Sequence, residues 1–106
     1  MEPKKVIIVE DHQLFREGLK AMLDSRKDLE VIGEAEDGLA AIEIVKEKPP
    51  DLLLLDLSMP RLGGISVVKE VKRVFPELIV LALTIHESDQ YVLEAFESGV
   101  NGYCIK

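Results

Sequence analysis

The chain has 106 residues, a formal net charge of −7 and a single cysteine, Cys104. This length fits one domain, and one cysteine excludes an internal disulfide and a thiolate metal cluster. The 31% of charged residues and the lack of a long apolar run exclude a spanning helix or a secretory signal. We therefore expect a cytoplasmic protein with no membrane partner. The negative charge argues against direct nucleic-acid binding, which needs basic patches.

Two hydrophobic periodicities alternate along the chain. Short continuous apolar runs predict strands covered on both faces, at residues 4–9, 29–35, 51–56, 78–84 and 102–105. Apolar residues at helical spacing predict a helix between each pair of strands. The predicted core-facing stripes are Phe15, Leu19, Met22 and Leu23, then Leu39, Ile42 and Val45, then Ile65, Val68, Val71 and Phe75, and last Tyr91, Val92, Ala95 and Phe96.

Five strands alternating with four helices predict an α/β domain with a doubly wound parallel sheet. We expect the flavodoxin-like strand order 2-1-3-4-5. The pattern also predicts a fifth helix after the last strand, and the sequence reaches Lys106 before one begins. We therefore expect a domain shortened at its final helix. Apolar sheet surface exposed near strands one and five would then favour a dimer or an exchanged element.

Polar residues follow four of the predicted strands at their carboxyl ends. Glu10 and Asp11 follow strand one, Asp56 ends strand three, Thr84 ends strand four and Lys106 follows strand five. Each has an ordinary structural explanation, such as an acid capping the first helix or a β-branched strand residue. Ligands of open α/β sheets bind beyond the carboxyl strand ends, however, and so the coincidence favours a site there.

The residue types at this edge indicate a particular chemistry. Three carboxylates brought together repel one another, and Mg²⁺, which takes oxygen ligands and a few carboxylates, removes that repulsion. Thr84 and Lys106 suit phosphoryl oxygens. Lys106 lies two strands from Asp56, about 10 Å, which the long lysine side chain can span. Asp56 is then a candidate nucleophile that accepts a phosphoryl group.

The stretch "DLLLLDLSMPRLGG" fits that role. Its leucines anchor Asp56 on a rigid strand, and the residues that follow turn the chain away and leave the carboxylate accessible. Cys104, within the apolar run "YCI", is expected to be a small core residue.

Other site types are disfavoured by what the sequence lacks. It contains no glycine-rich nucleotide loop, no histidine at zinc-ligand spacing and no evident Ser-His-Asp set. A haloacid-dehalogenase-type phosphatase would carry D-x-D at the nucleophile, where Ser58 stands instead. A flavin-binding electron carrier would want a Ser/Thr/Gly-rich loop where "EDHQLF" is acidic. A domain that acts alone, without an output domain, remains an alternative.

With these pieces in order, the sequence closely resembles the receiver domain of bacterial response regulators over its whole length. The matching segments are "VIIVEDHQLFREGLKAML", "VIGEAEDGLAAI", "DLLLLDLSMPRLGG", "LALTIHESD" and "GVNGYCIK". The wording of "EDHQLFREGL" and "GYCIK" most resembles the NarL/LuxR-type transcription regulators, whose receiver precedes a helix-turn-helix domain. The resemblance implies phosphorylation by a sensor histidine kinase and DNA binding through an output domain beyond residues 1–106.

The resemblance also implies a role for individual residues. Asp56 would be the phosphoacceptor, and Mg²⁺ would bind Glu10, Asp11, Asp56 and the Ser58 backbone carbonyl. Thr84 would be the switch hydroxyl, Lys106 the phosphate-pairing lysine and Tyr103 the aromatic that changes rotamer. Ser58 and His86 would set the lifetime of the acyl phosphate. Ile85, where many receivers have a small residue, would slow entry of the phosphodonor.

Overall fold

A computed structural model of the chain describes residues 2–57, 63–84 and 89–105. Strands and helices alternate within these ranges, and β1, β2, β3, β4 and β5 form one parallel sheet in the order β2-β1-β3-β4-β5. The predicted α/β fold and strand order are confirmed. The elements are β1 Lys4–Val9, α1 Gln13–Asp24, β2 Leu29–Ala35, α2 Gly38–Glu47, β3 Leu52–Asp56, α3 Gly64–Val74, β4 Ile79–Thr84, α4 Asp89–Ser98 and β5 Gly102–Ile105.

The central strands are buried on both faces, as their continuous apolar runs predict. The larger core packs α2, α3 and α4 against one face of the sheet, and Leu53, Leu55 and Val67 are among its fully buried members. On the other face Leu19 and Leu23 of α1 pack against a smaller cluster of buried strand residues. No helix within the described ranges is long and apolar enough to cross a membrane.

Three of the predicted helix faces are wrong in part. Met22 is 63% exposed, Leu39 is 60% exposed and Phe96 of α4 is 46% exposed. Met22 lies at the edge of the α1 stripe, away from the sheet. Leu39 lies about 160° around α2 from Ala41, given 3.6 residues per turn. The buried residues of α2 are Gly38, Ala41 and Val45, because small side chains let this helix approach the sheet closely.

Cys104 is exposed, so the prediction that it is a core residue is wrong. It lies on β5, which pairs only with β4 at the edge of the sheet. Neighbouring residues of a strand point to opposite faces. Tyr103 packs against the larger core, so Cys104 faces the other way. An apolar run on an edge strand therefore does not bury both of its sides.

The amino end of β3 is tied to both neighbouring strands through Asp51. Its carboxylate Oδ2 accepts a hydrogen bond from the Lys5 backbone N–H at 2.8 Å. Its backbone N–H donates to the Lys5 carbonyl at 2.8 Å, and its own carbonyl accepts from Ile79 at 3.4 Å. These bonds connect β1, β3 and β4 at the edge opposite to Asp56.

The start of α3 packs closely against the chain segment that follows Asp56. A Cβ added at Gly64 would overlap the backbone of Leu57, whereas one added at Gly63 would meet nothing within 4 Å. Gly64 is buried and Gly63 is exposed. Because residue 64 is a glycine, the first turn of α3 can pack directly against Leu57, the residue after Asp56.

We expect Gly64→Ala to lower the free energy of unfolding by about 1–3 kcal/mol, because the methyl group forces the backbone of Leu57 to shift. Gly63→Ala is the matched control, and we expect it to change stability by less than about 1 kcal/mol. Urea denaturation followed by circular dichroism measures both. Equal stability of the two variants would contradict this account of the α3 start.

Candidate functional site

Three of the predicted site residues meet at the carboxyl edge of the sheet. Carboxylate oxygens of Glu10, Asp11 and Asp56 all lie within 4.8 Å of one another. β1 and β3 are parallel neighbours with Val9 opposite Leu55, which brings the residues that follow to the same position along the sheet. Asp56 is 2% exposed and Glu10 is fully buried, while Asp11 is exposed. The cluster thus has two acids inside and one facing solvent.

The loop from β1 to α1 holds the buried acid by its backbone and its side chain. The Glu10 N–H donates to the Ala35 carbonyl at 3.0 Å, which extends the β1–β2 ladder by one residue. Its carboxylate Oε2 accepts from the His12 backbone N–H at 3.0 Å. The carboxylate therefore has a defined direction.

The helix cap is supplied by a different residue from the two acids. His12 is the N-cap of α1, and its Nδ1 accepts a hydrogen bond from the Phe15 N–H at 3.4 Å. The alternative in which Glu10 or Asp11 caps this helix is wrong. The imidazole satisfies an N–H at the helix start, so the cap does not require either carboxylate of the cluster.

Thr84 reaches the same edge from β4. It is the last residue of that strand and is fully buried. Asp56 lies opposite Leu83, and the Leu57 N–H donates to the Leu83 carbonyl at 2.9 Å, so Thr84 stands one residue beyond Asp56. Tyr103 lies one strand further on, half-buried, with its ring 6.3 Å from the ring of Phe96.

Four residues with a predicted role lie outside the described residues. They are Ser58, Ile85, His86 and Lys106. Their roles in holding Mg²⁺, admitting the phosphodonor, setting the acyl-phosphate lifetime and pairing with phosphate therefore stay predictions.

The sequence interpretation missed an arginine beside the cluster. Arg16 of α1 donates from Nη1 to the Glu10 carbonyl at 2.7 Å. It also forms ion pairs with Glu34 and Glu36, each at 3.3 Å. The position of Arg16 in the sequence could have indicated this role. Arg16 lies one helical turn after His12, and Glu34 and Glu36 lie at the end of β2, the strand next to β1. Glu34 lies within β2, and Glu36 directly follows that strand.

The donor set of the cluster fits Mg²⁺. Three carboxylates offer hard oxygen ligands within reach of one ion, and the exposed position of Asp11 leaves room for the waters that Mg²⁺ keeps. The described residues Glu10, Asp11 and Asp56 would supply the side-chain ligands. An aspartate nucleophile beside such an ion is equipped for phosphoryl transfer.

Fold and site together are those of a signalling receiver domain, and comparison with known proteins agrees. The family model "Response regulator receiver domain" matches residues 6–106, and the chain belongs to that family. This is a signalling family and not a hydrolase family.

Two of the similar proteins are a transcriptional regulatory protein and the receiver domain of a putative response regulator. The chain is 37% identical over 102 residues to the transcriptional regulatory protein DegU of Brevibacillus brevis, covering 96% of this chain and 43% of that protein. The receiver domain of the putative response regulator NarL from Mycobacterium tuberculosis superposes with a TM-score of 0.94 at 35% identity, covering 99% of this chain and 85% of that one.

A third match is a response regulator bound to a promoter. RcsB of Salmonella enterica serovar Typhimurium, solved on promoter rprA with phosphomimetic beryllofluoride, matches with a TM-score of 0.88 at 30% identity. That match covers 98% of this chain and 53% of RcsB. The chain spans about half the length of the curated relatives it matches, from 43% to 50%.

We expect Asp56→Asn to raise the free energy of unfolding by about 1–3 kcal/mol in EDTA, because it removes one of three mutually repelling charges. Asp51→Asn, at the other end of the same strand, is the control and should bring no such gain. Urea denaturation with and without Mg²⁺ measures both variants. A loss of stability on Asp56→Asn in EDTA would show that repulsion does not govern this cluster.

Proposed function

We propose that this chain is the phosphoacceptor receiver of a two-component response regulator and that a sensor histidine kinase phosphorylates Asp56. One observation carries the proposal. Asp56 is a nearly buried carboxylate at the end of a central strand, with the oxygens of Glu10 and Asp11 within 4.8 Å. A purely structural aspartate would not be surrounded by two further acids.

In this proposal an Asp56 oxygen attacks the phosphorus of phosphohistidine. The new O–P bond forms as the P–N bond breaks, and the imidazole leaves with the electron pair of that bond and takes up a proton from solvent. Bound Mg²⁺ would neutralise charge on the phosphoryl oxygens and the carboxylates. Glu10 and Asp11 would hold that ion, and β3 would fix the nucleophile in line. Lys106 would pair with the phosphoryl oxygens.

Phosphorylation replaces the single negative charge of the Asp56 carboxylate with a phosphoryl group that carries about −1.5 to −2, and we propose that Thr84 responds to this change. Its buried position one residue beyond Asp56 suits a hydroxyl that moves toward new phosphoryl oxygens. Tyr103 would then turn inward from its contact with Phe96. The response is a shift between two existing states, limited by the contacts that differ between them.

The output of the switch is proposed to be DNA binding by a helix-turn-helix domain outside residues 1–106. Support comes from relatives that are named transcriptional regulatory proteins and of which this chain spans 43% to 48%. The net charge of −7 argues against direct DNA binding by this domain. A cytoplasmic location is part of the same proposal, because both the kinase's phosphohistidine and the DNA are found there.

Self-association is also proposed. Ile79 is 48% exposed and Cys104 is exposed on the sheet's second face, beside the partly buried Leu81. Apolar surface of this kind favours contact with a second copy. The proposed roles of Ser58 and His86 in the acyl-phosphate lifetime, and of Ile85 in donor entry, belong to the same scheme.

Incubation with acetyl phosphate and Mg²⁺ tests the central proposal. We expect intact mass spectrometry to show the addition of one phosphoryl group, lost when EDTA replaces Mg²⁺. Asp56→Asn should abolish the addition, and the Asp51→Asn control should retain it. Phosphorylation that persists in Asp56→Asn would refute the assignment of the nucleophile.

A second experiment tests the switch. We expect Thr84→Val, which has a similar volume but no hydroxyl, to accept the phosphoryl group yet to lose the response of Tyr103 to beryllofluoride. Thr84→Ser keeps the hydroxyl and should preserve that response. Ring NMR signals of Tyr103 report the change. An unaltered response in Thr84→Val would rule out the hydroxyl as the link.

A further inference from the structure

Arg16 is hydrogen-bonded to the peptide group between two residues of the acidic cluster, Glu10 and Asp11. Its side chain is 11% exposed, and Nη1 donates to the backbone carbonyl of Glu10 at 2.7 Å. That carbonyl belongs to the planar peptide that joins Glu10 to Asp11. Fixing the plane of this peptide fixes the N–Cα bond of Asp11 and so restricts the directions in which its side chain can leave the backbone.

The remaining guanidinium donors tie Arg16 to the end of β2. Nε lies 3.3 Å from Glu34 Oε1, and Nη2 lies 3.3 Å from Glu36 Oε1. Between these two residues, the Ala35 carbonyl accepts the Glu10 N–H at 3.0 Å. The planar guanidinium fork therefore has its orientation set by two hydrogen bonds, to the Glu10 carbonyl and to Glu36, and by the ion pair with Glu34.

We propose that Arg16 is a positioning residue for the Mg²⁺ site, orienting the Glu10–Asp11 peptide so that Asp11 faces Asp56. This inference rests on the proposed function, because it assumes that the cluster binds Mg²⁺. Arg16 touches neither a carboxylate of the cluster nor the reacting atoms in the contacts described. It acts through the backbone that carries the ligands.

Electrostatics alone predicts the opposite change in Mg²⁺ affinity when Arg16 is replaced. The direction of the measured change therefore decides between the two explanations. A guanidinium close to a cation site repels the cation, so removal of its charge should strengthen Mg²⁺ binding. If Arg16 works by geometry, removal weakens binding despite that gain. Arg16→Lys separates the two effects, since it keeps the charge and loses the planar fork.

The experiment measures the dissociation constant of Mg²⁺ by calorimetry and by NMR titration of the Asp11 amide. We expect Arg16→Lys and Arg16→Gln to bind Mg²⁺ about tenfold more weakly, the usual size of an effect exerted through a ligand's support. Arg26→Gln is the matched control. Arg26 pairs with Asp28 at 2.9 Å, in the turn before β2, and its loss should leave Mg²⁺ binding unchanged.

A measurement in the absence of metal distinguishes a local change at the site from a general loss of folding. In EDTA, Arg16→Lys should shift the Asp11 amide resonance while its melting temperature stays close to that of Arg26→Gln. Glu34→Gln combined with Glu36→Gln is a second variant, which keeps Arg16 but frees its far side. We expect that pair to weaken Mg²⁺ binding too, by less than Arg16→Gln does.

The outcomes separate this inference from the function it rests on. Equal Mg²⁺ affinity in wild type and Arg16→Lys, or tighter binding in Arg16→Gln, would overturn the positioning role and leave the proposed function intact. A wild-type protein that binds no Mg²⁺ in the same titration would overturn the metal site of the proposed function, and this inference with it.

Discussion

The repulsion among three carboxylates is the constraint on which the rest of the molecule depends. Glu10, Asp11 and Asp56 bring their oxygens within 4.8 Å, and two of these acids are almost inaccessible to solvent. Water cannot screen charges in that position well. Something must hold them together, and the holding forces come from elsewhere in the fold. They are the burial of the leucines of β3, the ladder bonds of β1, and the packing of two helix starts against this edge.

Both helix starts are adapted to that task. At α1 an imidazole caps the helix, so neither Glu10 nor Asp11 serves as its N-cap. At α3 a glycine allows the helix to lie directly on Leu57. A larger residue at that position would push away Leu57, the residue that follows Asp56. Local features that look like ordinary turn chemistry thus determine whether the acids can meet at all.

Much of this could be predicted from the sequence, for physical reasons. Continuous apolar runs give doubly covered strands, and their alternation with helical patterns leaves few topologies. The strand order then places Glu10 beside Asp56. The buried face of α2 was harder to predict, because Leu39 looks like a core residue. The face that packs against the sheet is instead the one that carries the small residues Gly38 and Ala41. Cys104 was misplaced since hydrophobicity does not reveal which side of an edge strand is covered. Arg16 was missed because its three contacts come from separate segments, and an arginine on a helix usually faces solvent.

The amino edge of the sheet has the opposite character to the carboxyl edge. There Asp51 is bonded by side chain and backbone to β1 and by its carbonyl to β4, so one residue fastens the three middle strands together. Strands fastened at their base cannot slide past one another without breaking several of these bonds at once. We therefore expect a change of shape that begins at Asp56 to leave β1, β3 and β4 in place relative to one another. Such a change would pass across the strands at the carboxyl edge, from Asp56 toward β5, rather than along the strands toward the amino edge.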